Sequence, residues 1–303
     1  MTHIGAVDIG GTKIAAGAVR EDGAVVFRCE RPTDPARGFA DAMQRVRGIL
    51  HQVIDACGPF DGIGVASPGP LDPVSGTLGE IGTLPGWQGG NLVEALEKEF
   101  RVTVAVENDA DAAALAEFKW GAAPTPGSLI YVTVSTGIGG GIVCDGRLYR
   151  GVDGAHPEIG HQIVDNSGPL CYCGAHGCWE SLASGTAMSA WMHEMKPEAG
   201  RITAAEICNL ARQGDELALR ALRREGRYLG LGLANLVTLF APAVISLGGG
   251  VMKSSALFLD DALKTVRELC TQVPVEKTRI ALSSLGPDIG LKGAAQAWLL
   301  RNS

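Results

Sequence analysis

The sequence lacks features that would place it in several common protein classes. It has no run of about 18 apolar residues, so no segment is expected to span a membrane. It has no cluster of lysine and arginine, and its formal net charge is −7. Because phosphate-backbone binding requires clustered cations, nucleic acid is not an expected partner. No signal peptide is recognisable at the N-terminus, so we expect a soluble, cytoplasmic protein.

Proline is scarce, at 15 of 303 residues, whereas glycine is abundant, at 42 residues. The glycine share is about 14%, roughly twice the usual value of about 7%. No collagen-like repeat is present, and the 46% of hydrophobic residues is enough to build a substantial core. The glycine excess is therefore not explained by a fibrous or disordered chain.

The eight cysteines do not form the pattern of a disulfide-rich domain. The chain is too long to need disulfides for stability, and a cytoplasmic protein keeps its thiols reduced. Three cysteines lie within eight residues of one another and are considered below. The other five are isolated, and we expect them to be small buried apolar residues: Cys29, Cys57, Cys144, Cys208 and Cys270.

Two parts of the chain begin with the same pattern of short elements. The run Ile4–Ile9 predicts a strand, which a glycine turn connects to a second apolar strand. The pattern recurs later, where Leu129–Val134 and Ile138–Cys144 predict two strands around a small-residue turn. A break with two prolines at 121–127 separates the two parts. This weak internal repeat predicts an α/β protein of two domains.

The first turn has a composition suited to binding phosphate. Asp8 lies near the end of the strand, and Gly10, Gly11, Thr12 and Lys13 follow. Glycines allow backbone N–H groups to approach an anion, and an acid at the strand end can hold hydrated Mg²⁺. The spacing matches neither a Walker A loop nor GxGxxG. The alternative is a hairpin turn whose glycines only permit positive φ.

The corresponding turn in the second half contains Ser135, Thr136 and Gly137 and has the same chemistry. Two such turns can clamp one polyphosphate from both sides, so the pair is more specific than either turn alone. A third glycine run ends a later strand, where Gly249 and Gly250 would let a flat adenine lie on the backbone. The alternative for this run is close packing of a helix on the strand.

A cluster of soft ligands indicates a metal site. Cys171, Cys173 and Cys178 surround small residues, and His161 precedes them. One imidazole and three thiolates complete the tetrahedral shell of zinc, and such a closed site is structural. Ligand chemistry alone leaves His176 as an equal candidate for the fourth ligand.

The paired Gly/Thr turns, the late glycine run and the Cys/His cluster resemble the ROK family (repressors, open reading frames, kinases) of the actin-like sugar kinases. The resemblance extends from Ile4 to about Ala297. It implies two ribonuclease-H-like α/β domains flanking a cleft in which ATP and sugar meet. We expect a smaller N-terminal domain at 1–120, joined by the closing helix at 289–303. We expect a larger domain with the zinc knuckle at 121–288, and a homodimer or dimer of dimers.

The resemblance also implies roles for individual residues. Asp109 would act as the base that accepts a sugar hydroxyl proton, although an aspartate there can also simply cap a helix. The family pattern favours His161 over His176 on zinc, which leaves the second ring nitrogen of His161 for the sugar. The residues that the resemblance assigns to sugar binding, besides Asp109, are Gly69, Asn108, Glu158, His161 and Glu180.

Several positions depart from the family pattern and leave the substrate open. Asp111 and Thr83 each stand where asparagine is usual, and His156-Pro157 replaces Ala-Gly. The His-Pro pair is familiar from fructokinase-like members, whereas the regular knuckle is not. Trp87, in the loop after Thr83, is expected to be a packing residue.

The expected function is ATP-dependent phosphorylation of a hexose, at the 6-hydroxyl, with Mg²⁺ and one structural Zn²⁺. Fructokinase and N-acetylmannosamine or N-acetylglucosamine kinase activities are alternatives. A non-catalytic sugar sensor, a chaperone-like actin-fold ATPase and a transcriptional repressor are less favoured. For the repressor, the first strand begins at residue 3 or 4, which leaves no room for a preceding helix-turn-helix domain.

Overall fold

The computed structural model describes residues 3–121 and 127–302. Within these residues the chain divides into two compact units: unit 1 is Met1–Pro124 with Ser284–Ser303, and unit 2 is Thr125–Ser283. Of the predicted break at 121–127, residues 122–126 lie outside the described residues. No helix in the described ranges is long and apolar enough to cross a membrane.

Each unit contains a five-stranded mixed sheet in the described residues, which confirms the predicted α/β class. The strands in chain order are β1 (His3–Ile9), β2 (Lys13–Arg20), β3 (Val25–Pro32), β4 (Gly62–Ser67), β5 (Val104–Asn108), β6 (Ser128–Val134), β7 (Ile138–Cys144), β8 (Arg147–Leu148), β9 (Val244–Gly248) and β10 (Arg279–Leu282).

Both sheets have the same strand order, which explains the internal repeat in the sequence. In unit 1 the order is β3-β2-β1-β4-β5, and in unit 2 it is β8-β7-β6-β9-β10. In each sheet the first three strands along the chain form an antiparallel meander, and the remaining pairings are parallel. The carboxyl ends of the parallel strands therefore meet at one edge of each sheet, where α/β proteins bind ligands.

Nine α-helices in the described residues cover the sheets. They are α1 (Phe39–Cys57), α2 (Leu92–Phe100), α3 (Asp109–Trp120), α4 (Trp179–Ala183), α5 (Gly185–Met195), α6 (Ala204–Arg212), α7 (Glu216–Phe240), α8 (Leu259–Leu269) and α9 (Ile289–Arg301).

Local sequence sets most helix starts. Asn91 accepts a hydrogen bond from the backbone N–H of Glu94 at 2.8 Å and so caps α2. Thr203 and Glu206 form a reciprocal capping box at the start of α6. A 3-10 segment covers Val251–Leu257 before α8 begins at Leu259.

Glycine allows helices to lie directly on the strands. A Cβ at Gly64 of β4 would lie 1.8 Å from the carbonyl oxygen of Ala294 in α9. In unit 2, a Cβ at Gly232 of α7 would lie 2.0 Å from the fully buried ring of Trp179. Both distances are far below van der Waals contact, so any larger residue would force the elements apart.

The isolated cysteines follow the prediction only in part. Cys208 and Cys270 are buried, whereas Cys29 and Cys57 are partly exposed. The prediction is wrong for Cys144, which is exposed. Cys144 is the last residue of β7, next to the exposed turn at Asp145, and is exposed because the covered part of the strand ends at Val143.

One carboxylate lies inside the core of unit 2. Glu225 of α7 is 1% exposed, and neither of its oxygens has a hydrogen-bond partner among the residues that the structure describes. Burial raises the pKa of Glu225 to about 8, against a smaller opposing effect of the Arg224 charge. The folded protein therefore keeps this carboxyl protonated at neutral pH.

Replacement of Glu225 by glutamine should change how stability depends on pH. Between pH 4.5 and about 8 the folded protein holds a proton that the unfolded chain has released, so wild-type stability falls as the pH rises. A tenfold change in an ionisation equilibrium corresponds to about 1.4 kcal/mol, so Glu225→Gln should gain roughly 3–5 kcal/mol relative to wild type over this window. Urea unfolding at several pH values measures the difference.

Glu216→Gln is the matched control, because Glu216 lies in the same helix and is exposed. It should show the wild-type pH dependence. If Glu225→Gln also shows it, Glu225 is already ionised in the folded protein.

Candidate active site and metal centre

Acidic residues line the carboxyl edge of the sheet in unit 1. The strand register places Asp8 of β1 beside Ala66 of β4, and Ala66 beside Glu107 of β5. Asp109 follows directly as the first residue of α3 and is exposed. The structure thus brings Asp8, the predicted Mg²⁺ ligand, and Asp109, the predicted base, to the same edge of the unit 1 sheet.

Asp8 and Asp109 influence each other electrostatically. The pKa of Asp8 is raised to about 6, first because the surrounding protein displaces water from its carboxyl and second because Asp109 is negative. Lys13 and Arg28 oppose the rise. Although the Asp8 side chain retains some accessible surface, its carboxyl is crowded: a Cβ at Gly290 would lie 2.3 Å from one of its oxygens. An ionised Asp8 would be stabilised by a cation.

The predicted phosphate turn at the end of β1 is a tight, exposed connection. The N–H of Gly10 donates to the carbonyl of Lys13 at 2.9 Å, and the Thr33 hydroxyl donates to the Gly10 carbonyl at 2.6 Å. Thr12 is exposed, and Gly11 is half-buried. The Lys13 ammonium forms an ion pair with Glu30 at 2.7 Å. Contact between Lys13 and a phosphate would require this exposed pair to open.

The amide oxygen and the amide nitrogen of the Asn108 side chain have different neighbours. Its Oδ1 accepts the N–H groups of Ala110 at 2.9 Å and Asp111 at 3.2 Å, which caps α3. Its Nδ2 lies 3.3 Å from the position that a Cβ on Gly69 would occupy. The predicted sugar-binding residues Gly69, Asn108 and Asp109 are therefore neighbours. Asp111, in contrast, is fully buried in α3.

The loop after β4 reaches the phosphate turn of unit 1. A Cβ at Gly11 would lie 3.0 Å from Cβ of Thr83. Trp87 is fully buried and contacts Phe39 edge to face, with ring centroids 5.8 Å apart, so its predicted packing role is confirmed.

In unit 2, the turn after β6 adjoins the glycine run after β9. A Cβ at Gly249 would lie 2.3 Å from the carbonyl oxygen of Val134, and Gly249 has a φ of +95°. The N-terminus of α5 lies on the same turn, because the N–H of Gly185 donates to the Ser135 carbonyl at 2.7 Å. The predicted residues of this turn and of the glycine run, Thr136, Gly137, Gly249 and Gly250, thus share one region.

Glu180 makes a contact that the sequence does not reveal. Its Oε2 accepts the backbone N–H of Ile138 at 2.8 Å, directly after the predicted phosphate turn. A Cβ at Gly137 would lie 2.1 Å from the same oxygen. The predicted sugar-binding acid is therefore held against the predicted phosphate turn. Because the two residues are 43 positions apart, only the fold could reveal this.

Four soft ligands converge at the knuckle. The ligand atoms of His161, Cys171, Cys173 and Cys178 lie within 4.8 Å of one another. Nδ1 of His161 is 3.6 Å from Sγ of Cys171, and the sulfurs of Cys173 and Cys178 are 3.5 Å apart. Ligands about 2.3 Å from a tetrahedral zinc ion lie about 3.8 Å apart, so the residues fit this metal. His176 instead bonds the Gly168 carbonyl through Nδ1 at 3.1 Å.

Burial disfavours ionisation of the Cys178 thiol. Cys178 is fully buried, and burial is the main reason why the pKa of its thiol is raised to about 12. Cys171 is also buried, whereas Cys173 is exposed. A divalent cation among the three sulfurs would remove this cost and fix the thiolates.

A residue that the sequence analysis missed contacts His161. The hydroxyl of Tyr172 lies 3.0 Å from Nε2 of His161, and the two rings meet edge to face. The pKa of Tyr172 is raised to about 12, mainly by burial of the hydroxyl and then by the charges of Glu180 and Glu158. An aromatic residue between two cysteines of the predicted metal site was the available signal. Glu158 itself is exposed and immediately precedes the 3-10 turn Ile159–His161.

Two glycines of the knuckle have positive φ but different surroundings. Gly174, with φ +92°, has open space around a would-be Cβ. Gly177, with φ +71°, would place its Cβ 1.5 Å from the carbonyl oxygen of Asp165. This second contact holds the knuckle against the preceding segment.

Alanine substitutions at these two glycines should therefore separate strain from collision. Gly174→Ala should cost only the strain of positive φ, about 1–2 kcal/mol. Gly177→Ala should cost clearly more, because a backbone carbonyl has to move. Thermal unfolding of both purified variants measures the difference, and equal Tm values would contradict the close contact at Gly177.

Comparison with known proteins agrees with this arrangement. The sequence profile of the ROK family matches residues 4–301. Glucokinase from Thermotoga maritima is 32% identical over 302 residues, covering 95% of this chain and 95% of that one. The crystal structure of a ROK hexokinase from Thermus thermophilus has a TM-score of 0.89 at 34% identity and covers 100% of both chains. A ROK family glucokinase from Streptomyces griseus, solved with glucose and AMPPNP, has a TM-score of 0.83 at 32% identity, covering 99% of this chain and 100% of that one. The chain therefore belongs to the ROK family, and its fold is that of the actin-like ATPases.

Proposed function

We propose that the protein phosphorylates a hexose with ATP, at the 6-hydroxyl. The observation that carries the proposal is the position of Asp109: an exposed carboxylate at the start of α3, beside Asn108 and close enough to Asp8 to raise the pKa of that residue. Phosphoryl transfer needs one carboxylate to accept the hydroxyl proton and a second acid to hold the metal of the nucleotide. The similarity to glucokinases, one solved with glucose and AMPPNP, supports a hexose acceptor and ATP as donor.

The glycine turns would bind the phosphates of ATP. In unit 1 these are Gly10 and Gly11, followed by Thr12 and Lys13, with Asp8 as the acid nearest to the Mg²⁺ that neutralises the phosphates. The exposed side chain of Thr12 and the partial exposure of Gly10 and Gly11 support this role.

In unit 2, Thr136 and Gly137 would contact the phosphates, and Gly249 and Gly250 would border the adenine. The close approach of Gly249 to Val134 supports this grouping, because it brings the two glycine-rich segments together without an intervening side chain.

The sugar would be held by side chains that accept and donate hydrogen bonds to hydroxyls. In unit 1 these are Asn108, through its Nδ2, and Asp109, with the backbone at Gly69. In unit 2 they are Glu158, His161 and Glu180. Carboxylates suit this task because each oxygen can accept hydroxyl hydrogen bonds.

A zinc ion would fix the orientation of His161. With Nδ1 facing the three sulfurs, Nε2 carries the ring proton and is available as a donor to a sugar oxygen. The metal would thus be structural and act on the reaction only by holding this ring in place.

Asp109→Asn should bind hexose and ATP but lose turnover. Asparagine preserves the size of the side chain but cannot accept the hydroxyl proton. The loss of a general base lowers kcat by about 10²- to 10⁴-fold. A coupled ADP-release assay over a panel of hexoses, with sugar binding measured by calorimetry, tests both parts. Retention of more than about a tenth of kcat would exclude Asp109 as the base.

Asp260→Asn is the matched control. Asp260 is an exposed aspartate in the first turn of α8, as Asp109 is in α3, but no proposed role involves it. Its kcat should equal that of the wild type.

The zinc assignment predicts one zinc per chain in protein purified without added metal. Cys173→Ser and His161→Ala should lower the zinc content measured by mass spectrometry, because each removes a ligand. His176→Ala should retain zinc, since its Nδ1 contacts a backbone carbonyl. Native protein without zinc, with all three knuckle thiols titratable, would contradict the site.

A further inference from the structure

Tyr172 lies where a sugar hydroxyl would be expected. Its hydroxyl is 3.0 Å from Nε2 of His161, and the rings meet at 83° with centroids 5.1 Å apart. Apart from this contact the residue is 83% exposed. A tyrosine in this position is thus held mainly by one hydrogen bond and one ring edge.

The chemistry of that hydroxyl matches the chemistry of a sugar. With Nδ1 of His161 on the proposed zinc, Nε2 would carry the ring proton and donate it to the tyrosine oxygen, 3.0 Å away. The tyrosine proton is then free to be donated, and the negative charges of Glu180 and Glu158 act on this hydroxyl. A sugar hydroxyl at the same place would accept from His161 and donate to a carboxylate in the same way.

We propose that the Tyr172 hydroxyl occupies the sugar position on His161 in the free protein, and that a hydroxyl of the incoming hexose displaces it. This inference rests on the proposed sugar-binding role of His161. Tyr172 is then a specificity-determining residue. A sugar with a hydroxyl at the matching carbon replaces the lost hydrogen bond, and a sugar without it gains nothing by displacing the tyrosine.

The surroundings of Tyr172 permit this exchange. Its neighbours Cys171 and Cys173 both belong to the group of four possible metal ligands, and a bound zinc would fix the backbone on each side. The side chain itself has few packing contacts, because most of its surface is exposed. Rotation of the ring away from His161 would therefore leave the knuckle unchanged.

The decisive variant is Tyr172→Phe, which keeps the ring and removes only the competing hydroxyl. We expect the Kd of the preferred hexose, measured by calorimetry without ATP, to fall about three- to tenfold, as for the loss of one competing hydrogen bond. The KM for this sugar should fall similarly. The kcat, the KM for ATP and the zinc content should be unchanged.

A series of monodeoxy analogues of the same hexose locates the contact. Wild type and Tyr172→Phe should have the same affinity for the analogue that lacks the hydroxyl facing His161. For the other analogues the variant should keep its advantage. A purely structural role of Tyr172 would move all analogues alike.

Tyr149→Phe is the matched control. Tyr149 lies in the same unit, is 46% exposed and makes one edge contact with Phe240, but it is far along the chain from the knuckle. Its sugar affinity should equal that of the wild type.

Two results would overturn the proposal. Weaker sugar binding by Tyr172→Phe would show that the hydroxyl is a sugar ligand rather than a competitor, and unchanged binding would show that the contact has no role. If wild-type protein neither binds nor phosphorylates any hexose, the proposed function itself fails, and the assignment of Tyr172 fails with it.

Discussion

The structure depends on backbone-to-backbone contacts that any side chain would prevent. Gly64 lets α9 lie on β4, where a Cβ would be 1.8 Å from a carbonyl oxygen of the helix. Gly249 lets the segment after β9 reach the end of β6. The first contact places a helix of the C-terminal segment on the N-terminal sheet, and the second joins the two glycine-rich segments of unit 2. Close packing thus explains part of the glycine excess, beside the phosphate access that is proposed for the turns.

The features that could be predicted from the sequence are those set by nearby residues. The Gly/Thr turns follow strands because short connections need small residues, and Asn91 caps α2 because its side chain reaches an N–H three residues away. A metal site of one histidine and the three cysteines was also predictable from the ligand types, whereas the choice of His161 over His176 came from the resemblance to the ROK family.

The features that could not be predicted depend on residues distant in the sequence. The contact of Glu180 with Ile138 spans 42 residues and requires the knuckle to fold against β7. Glu225 has an ordinary helical context, and only the packing around α7 shows that it is buried. The exposure of Cys144 depends on where the covered part of β7 ends, which a solitary cysteine does not reveal.

The two carboxyls with raised pKa values differ in what surrounds them. Glu225 is enclosed by the core of unit 2, so it remains protonated and no ligand can reach it. Asp8 lies at the carboxyl edge of a sheet, retains accessible surface and faces a second acid, Asp109. Two carboxylates that repel each other at an accessible edge are stabilised when a cation binds between or beside them. The same repulsion that raises the pKa of Asp8 therefore favours Mg²⁺ at this edge, and a bound cation would in turn lower that pKa and leave both acids ionised for their proposed tasks.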